Sequence, residues 1–538
     1  MALTVQADPH AIAQLPKTAM GKRRYAPKSR GGCATCRGRH VRCDHQRPRC
    51  GGCQKSSRHC DYSADISLGN LRVVLWEPTG PNLALKELSP IPGQSPAEAR
   101  ALDYFRDIVA PRLAGTYDPT FWNRVVLQAS HRVSSLRHAL VALASHWETV
   151  VEPGSRIRRT ADWDRDAYAL QQYTKAITEM RKSLQHDPKP SREELLVSNL
   201  LFVCIEMFQN HYDSALRQMS SGIHLFCDWS ENNGTNQNAG TELQYAEFAR
   251  LIGHIFRRLI VQRMLFPIKI IGQEPLFLAK YAPTVPEIPE NFETADQARD
   301  YFNFCIATIF CQSRTAATKL TTEQCSMENY MDLYKPFQEA VLYFDQWRKA
   351  FKKFLGTNAL KLTGESARYC IVMDIQQLAT QIIIPSHSFR TQLEYDSYTP
   401  FFEKIIERMS YLIDTKAQQK IHHYPKFDIG LIPAMFLTAI RCRHPSIRRN
   451  AIALLRRGPR QEGVWNSDMM ACVAERVLEI EEIGLAEPKQ CNDIPLSSRV
   501  RIIQASMHTS TCHVALIIER QIETDCYEDR LIYEMIPY

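Results

Sequence analysis

Six cysteines near the N-terminus constrain the fold of this chain more than any other feature. They follow the pattern C-x2-C-x6-C twice, at Cys33, Cys36, Cys43, Cys50, Cys53 and Cys60. Each half offers three sulfur ligands, whereas a structural zinc site needs four in tetrahedral geometry, so neither half closes a site alone. Six sulfurs fill the eight ligand positions of two zinc ions if two sulfurs bridge, and the internal repeat makes the first cysteine of each half the symmetric bridging pair. The sequence therefore predicts a closed binuclear zinc cluster with no position left for a metal-activated water.

Positive charge is concentrated in the same segment. Residues 1–62 contain 13 Lys and Arg against three Asp, a net charge of +10, whereas the whole chain of 538 residues sums to +8 and the remainder therefore to −2. Two zinc ions with six thiolates contribute a net negative charge and leave the segment at about +8. We therefore expect a polyanionic partner for the N-terminal segment alone.

The rest of the cysteine usage indicates a reducing compartment. The other eleven cysteines are scattered along the chain, which is too sparse for a disulfide scaffold. No apolar stretch of signal-peptide length precedes the cluster, and no run reaches the roughly 18 apolar residues of a membrane span. We expect an intracellular protein with no membrane association, whose clustered cysteines bind metal.

The stretch CATCRGRHVRCDHQRPRCGGCQKSSRHCDYS resembles the fungal binuclear zinc cluster, the DNA-binding domain of a large class of fungal transcription factors. The cysteine spacings fit, as do the basic residues between the second and third cysteines, Asp44 and Pro48. The resemblance implies that each C-x2-C opens a short helix and that Pro48 lies in the loop between the halves. It also implies that Cys33 and Cys50 bridge two zinc ions and that the partner is double-stranded DNA.

Basic side chains in the first half have sulfur and metal behind them and must project outward. Such a surface suits phosphates, which give affinity, and base edges in the major groove, which give sequence preference. The resemblance implies that Arg39 and His40 read a CGG-like triplet, with His40 in place of the lysine common in the family. The residues assigned to phosphate contacts are Arg37, Arg42, Arg47 and Lys55.

Composition divides the chain into four predicted parts. These are a disordered basic arm over 1–30, the zinc cluster over 31–62, a linker containing Pro and Gly over 63–95, and a helical regulatory domain over 96–538. No heptad pattern follows Cys60, so a coiled coil is not expected. The chain is predicted to act as a monomer or to dimerise through the helical domain.

Helix signals recur from residue 96 to about residue 500. Ser95, Pro96 and Glu98 combine an N-cap, a proline at the first position and a capping-box glutamate, and Asp118 and Ser191 mark further helix starts. Apolar stripes at helical spacing are Leu136, Leu140, Leu143, Trp147; Tyr173, Ile177, Met180, Leu184; and Val473, Val477, Ile480. The fold class is therefore predicted to be mostly α, with 500–518 open to strands.

The helical region also resembles the regulatory domain that accompanies the zinc cluster in one large group of these factors, as in FWNRVVLQASHRVSSLRHALVALASHWE. The resemblance implies an all-helical domain that acts through transcriptional coregulators or a small-molecule effector. Arginines between 441 and 460 form a basic patch, which we interpret as a solvated helix face, with a contact to an acidic coregulator or to DNA as the alternative.

The leading hypothesis is a nuclear, zinc-dependent, sequence-specific regulator of RNA polymerase II genes. One alternative makes the zinc module a docking or redox-responsive element without DNA specificity. Another makes the helical region an enzyme tethered to DNA. The absence of P-loop, nucleophile-elbow, H-E-x-x-H and dinucleotide-binding motifs argues against an enzyme.

Overall fold

The computed structural model divides the chain into two units, Met1–Ser89 and Pro90–Tyr538. Within the first unit it describes residues 35–36, 39, 41, 43–44, 46, 50–56, 58 and 60. Within the second unit it describes 95–114, 118–151, 161–186, 191–233, 242–266, 286–322, 327–358, 362, 364–418, 426–458, 461–508, 511–520 and 530–538. The predicted basic arm and residues 63–94 of the predicted linker lie outside these ranges.

Helices dominate the second unit, as predicted. The first unit contains α1 (Gly51–Lys55). In chain order, the α-helices of the second unit are α2 (Pro96–Tyr104), α3 (Ala110–Ala114), α4 (Val126–Arg132), α5 (Ser134–Val151), α6 (Ala161–His186), α7 (Arg192–Phe208), α8 (Tyr212–Asn233), α9 (Glu242–Leu265), α10 (Ala295–Thr322), α11 (Met327–Asn358), α12 (Gly364–Ser386), α13 (Thr399–Gln418), α14 (Ile432–Arg441), α15 (Pro445–Arg457) and α16 (Ser467–Glu482). Most helices pack against their neighbours in the chain, from α5 against α6 to α15 against α16.

The predicted helix starts and apolar stripes have physical counterparts. Ser95 Oγ accepts the N–H of Glu98 at 3.2 Å while the Glu98 carboxylate accepts the N–H of Ser95 at 3.3 Å, which completes the capping box of α2. Ser191 Oγ accepts the N–H of Glu194 at the start of α7. The stripe of α5 is buried from Leu136 to Trp147, and the stripe of α16 is buried as well. These helices therefore form where a capping residue marks the start and an apolar stripe packs against the core.

One helix prediction needs correction, and one confirmed helix start has a side chain with an unexpected partner. In α6 the buried face is Ala169, Gln172, Tyr173 and Ala176, and the helix then leaves the core, so that Leu184 at the end of the predicted stripe is 46% exposed. A helical segment does start after Asp118, but the carboxylate of Asp118 binds the guanidinium of Arg258 in the core. The reason is that a buried arginine requires a carboxylate partner more than a helix N-terminus requires a cap.

Strands complete the C-terminal part of the helical domain. A short ladder joins β1 (Gln461–Glu462) to β2 (Trp465–Asn466), and β3 (Val500–His508), β4 (His513–Arg520) and β5 (Leu531–Pro537) form an antiparallel sheet in that order. Alternate residues of β4 are buried, and Arg476 of α16 reaches Glu534 of β5 at 2.8 Å. The segment left open to strands in the sequence is therefore strand, and the mostly helical domain is not helical throughout.

A buried carboxylate holds α15, α16 and β3 together. Glu481 accepts hydrogen bonds from Arg443 and Arg448, both at 2.7 Å, and all three side chains have 0% exposure. Glu481 Oε1, the oxygen bonded to Arg443, also accepts the backbone N–H of Val500 at 2.8 Å, where β3 begins. Burial alone would raise the pKa of Glu481, but the two guanidinium groups outweigh it and the pKa is lowered. Glu481 is therefore a buried anion shared by two cations.

This network corrects the interpretation of the basic patch. Arg443 and Arg448 face the core rather than solvent. Further arginines of the patch are paired on the surface: Arg449 with Glu482, Arg456 with Glu475, and Arg457 with Asp414. Arg460 lies outside the described residues. Much of the patch is therefore neutralised within the domain.

Glu481→Gln tests this role. The substitution keeps the shape and leaves two buried guanidinium groups without an anion, so the free energy of unfolding in urea should fall by about 3–5 kcal/mol. Because the folded pKa is lowered, the contribution of Glu481 is present above its unfolded pKa of about 4.3 and is lost as the pH falls through the folded value. The control Glu479→Gln, on the exposed side of the same helix, should change stability by less than about 1 kcal/mol. An equal loss of stability in the two variants would contradict the role of Glu481 as a buried anion shared by two arginines.

Candidate metal centre and DNA interface

Five of the six predicted metal ligands are described, and their sulfur atoms come together. Cys36, Cys43 and Cys50 form one set and Cys50, Cys53 and Cys60 form another, and within each set all Sγ atoms lie within 4.8 Å of one another. Cys50 belongs to both sets. The sixth predicted ligand, Cys33, lies outside the described residues.

The arrangement of the sulfur atoms fits zinc. A tetrahedron with Zn–S bonds of about 2.3 Å has S–S edges of about 3.8 Å, and the Sγ atoms of Cys36 and Cys50 are 3.6 Å apart. Four of the five described cysteines are buried and Cys60 is half-buried. Clustered sulfur ligands shielded from solvent are the donor set of a structural zinc centre.

The internal repeat is visible in the backbone. The N–H of Val41 donates to the carbonyl of Cys36 at 3.1 Å, and the N–H of Arg58 donates to the carbonyl of Cys53 at 3.0 Å. Both bonds span the same number of residues, and the second lies 17 residues after the first. The two halves therefore share a local backbone pattern as well as a cysteine spacing.

Helix α1 places the shared sulfur. Cys50 is its N-cap, and the Sγ of Cys50 accepts the N–H of Cys53 at 3.4 Å. This backbone hydrogen bond lowers the pKa of the Cys50 thiol. Helix N-termini favour thiolates, and the thiolate is the form that binds metal. In turn, the N–H of Cys50 donates to the Sγ of Cys60 at 3.3 Å, which ties the end of the second half to its beginning.

Asp44 connects the two halves. Its carboxylate oxygens accept the N–H of Gly51, the first residue of α1, at 2.9 and 3.1 Å. A Cβ at position 51 would lie 2.5 Å from Asp44 Oδ2, so a larger residue there would displace the carboxylate from this position. The sequence singled out Asp44 only by its resemblance, because nothing local shows that its partner lies seven residues ahead.

The structure describes two of the six predicted DNA contacts. Arg39 and Lys55 are exposed, whereas the other four, Arg37, His40, Arg42 and Arg47, lie outside the described residues. The guanidinium Nη1 of Arg39 donates to Ser56 Oγ at 2.9 Å, and Ser56 Oγ donates to the carbonyl of Gly52 at 2.8 Å. Sequence analysis missed Ser56, since a serine after a short helix carries no distinctive signal.

Two family models match the chain. The fungal Zn(2)-Cys(6) binuclear cluster domain covers residues 31–67, and the fungal specific transcription factor domain covers residues 100–225. The chain therefore contains a fungal binuclear zinc cluster domain, followed by a segment that matches the fungal specific transcription factor domain. Its cluster domain binds two zinc ions, its partner is DNA, and it is a regulator of transcription rather than an enzyme.

Relatives agree with this class. The chain is 25% identical to the aspercryptin biosynthesis cluster-specific transcription regulator atnN of Emericella nidulans, over 85% of this chain and 88% of the relative. Two Candida albicans proteins match over short segments: sterol uptake control protein 2 at 51% identity over 9% of this chain and 7% of the relative, and adhesion and hyphal regulator 1 at 58% over 6% and 5%. No solved structure matches the chain.

None of the helices in the described residues combines the length and the apolar character that a membrane span requires.

Asp44→Ala tests the link between the halves. Loss of the acceptor for Gly51 should weaken the start of α1 by about 1 kcal/mol, the usual contribution of an N-cap acceptor. Zinc release to a chromophoric chelator should therefore be about fivefold faster than in the wild type. Gln54→Ala, on the exposed face of α1, is the matched control. Unchanged release from the Asp44 variant would show that the carboxylate is dispensable.

Proposed function

We propose that the chain is a zinc-dependent, sequence-specific DNA-binding regulator of RNA polymerase II genes that acts in the nucleus. Six cysteines hold the two zinc ions, with Cys33 and Cys50 bridging. The observation that carries this assignment is that the Sγ of Cys50 lies within reach of both sulfur sets. A sulfur common to two sets is what a bridging ligand requires when six thiolates serve two tetrahedral ions.

Arg39 and His40 are proposed to read a CGG-like triplet in the major groove. Arginine binds guanine through O6 and N7, and a histidine ring N–H can donate to the same acceptors. Arg37, Arg42, Arg47 and Lys55 are proposed to bind phosphates, which fix the position of the module on the duplex. Arg39 and Lys55 are exposed, which supports base reading by Arg39 and phosphate binding by Lys55.

Ser56 is proposed to position Arg39. A long arginine side chain loses rotamer entropy when it binds a base, and a side chain already held in place loses less. The bond from Arg39 to Ser56 also joins the first half of the module to the second, so the orientation of the guanidinium follows from the fold of both halves.

The helical domain is proposed to regulate the activity of the zinc module through coregulators or a small-molecule effector, with the segment 63–95 as linker. Relationship to a regulator named for a biosynthesis cluster supports target genes of the same kind. The chain is proposed to act as a monomer or as a dimer formed through the helical domain.

DNA binding by the zinc-loaded full-length protein tests the proposal. A CGG-containing duplex should bind at least about tenfold more tightly than a scrambled duplex at physiological salt. Chelation or Cys36→Ala should abolish binding, because the module has no core without metal. Arg39→Ala combined with His40→Ala should remove the preference, since good base contacts contribute about 1–3 kcal/mol each.

Lys55→Ala serves as the comparison for base reading. It should weaken binding to both duplexes equally and reduce the slope of log K against log salt by about 0.9. Equal affinity of the wild type for the two duplexes would favour a docking role for the zinc module.

Ser56→Ala tests the positioning role separately. Loss of one hydrogen bond of about 1 kcal/mol should reduce binding to the CGG duplex about fivefold and leave binding to the scrambled duplex unchanged. Gln54→Ala, which leaves the Arg39 contact intact, should behave as the wild type. A parallel loss on both duplexes would point to a defect in folding instead.

A further inference from the structure

A cavity of about 350 Å³ lies inside the helical domain. Helices α9, α10, α12 and α14 contribute most of its wall, and residues 428–430 and Trp465 complete it. A volume of this size falls within the range of sites that enclose small organic molecules. Nothing in the proposed DNA interface uses this cavity.

Most of the wall is apolar and partly aromatic. Among the side chains that line it are Phe302, Ile306, Ile383, Phe436 and Ile440. All except the half-buried Ile383 belong to the buried core. The cavity therefore favours a ligand with a hydrophobic, ring-containing body.

The residues that line the cavity include more positive than negative side chains. Three arginines, Arg258, Arg299 and Arg441, are among the residues that line the cavity, and the acidic residue among them is Asp428. Arg258 binds Asp428 at 2.6 Å as well as Asp118 in the core, and Arg299 binds Asp300 at 3.0 Å. These two guanidinium groups are therefore already paired with carboxylates.

Arg441 differs from the other two arginines. Its Nη1 donates to Gln392 Oε1 at 2.8 Å, and its guanidinium lies 5.3 Å from the ring centre of Tyr395. Both contacts are neutral, and none of the ion pairs between residues that the structure describes includes Arg441. Burial lowers the pKa of Arg441. A cation in such surroundings gains most from an anion brought by a ligand.

The neighbourhood of Arg441 adds to this positive potential. Arg443 and Arg448 share the single carboxylate of Glu481. Arg443 Nη1 also donates to the carbonyl of Arg441 at 2.8 Å, so the two arginines are adjacent. The group formed by Arg443, Arg448 and Glu481 therefore has a net positive charge, and its carboxylate is already bound to two arginines.

We propose that this cavity binds a small organic carboxylic acid with a hydrophobic ring system, its carboxylate facing Arg441. The apolar wall takes the rings and Arg441 supplies the charge-assisted hydrogen bond. Binding itself requires only the helical domain as it folds in the full chain. A role of this ligand as effector rests on the proposed function of the protein as a transcription regulator.

Calorimetric titration of the zinc-loaded full-length protein tests the proposal with 2-naphthylacetate and its neutral isostere 2-naphthylacetamide. The acid should bind at least about tenfold more tightly than the amide, since a hydrogen bond to a charged group contributes about 1.5–3 kcal/mol. Arg441→Met should remove this preference, and Arg441→Lys should keep part of it. Absence of binding by the acid, or equal binding of acid and amide to the wild type, would overturn the proposal.

Two further variants locate the binding. Ala379→Phe places a ring in the cavity and should weaken both compounds at least tenfold, in agreement with its position on the wall. Arg457→Met removes an exposed arginine that pairs with Asp414 on the neighbouring helix and should change nothing. An unchanged affinity of the Ala379→Phe variant for both compounds would show that they do not bind in this cavity. Binding of the CGG duplex, measured on the same samples, reports on the proposed function independently of the cavity.

Discussion

Most buried charged side chains that the structure describes in the helical domain are paired with a side chain of opposite charge, and much of the packing follows from these pairs. Glu481 ties two arginines to the start of β3, and Arg258 joins Asp118 to Asp428 across distant parts of the sequence. Removing any one partner leaves an uncompensated ion in a medium that solvates it poorly. These pairs therefore fix the register of elements that apolar packing alone would leave free to slide.

The two units differ in how many of their basic side chains are paired with carboxylates. Many arginines of the helical domain are paired with carboxylates, and residues 63–538 sum to a net charge of −2, so this part of the chain presents little net charge to a polyanion. In the small module the described cysteines form the core, and the described basic residues Arg39, Lys55 and Arg58 are exposed. The proposed phosphate contacts are therefore assigned to the unit with the cysteine core, and the proposed regulation is assigned to the unit with the large hydrophobic core.

Sequence reasoning succeeded where the determinant is local or periodic. The cysteine spacing, the capping box at Ser95 and the stripe from Leu136 to Trp147 all depend on neighbours within a few residues or one helix face. It did not reveal distant partners: Asp118 does mark a helix start, but its carboxylate binds Arg258, and Arg443 and Arg448 were expected in solvent. Their partners lie 140, 38 and 33 residues away. No periodicity encodes such pairs, and the role of Ser56 was hidden for the same reason.

The repeated backbone pattern in the zinc module has a consequence for how its surface is divided. Positions 17 residues apart are equivalent, so Arg39 corresponds to Ser56 and His40 to Ser57. The equivalent positions Arg39 and Ser56 are also hydrogen-bonded to each other. One copy of the motif thus carries a long cationic side chain and the other carries the short hydroxyl that holds it. The repeat therefore provides both the residue proposed to read a base and the hydroxyl that is bonded to it, and the two copies differ in side chain at this equivalent position.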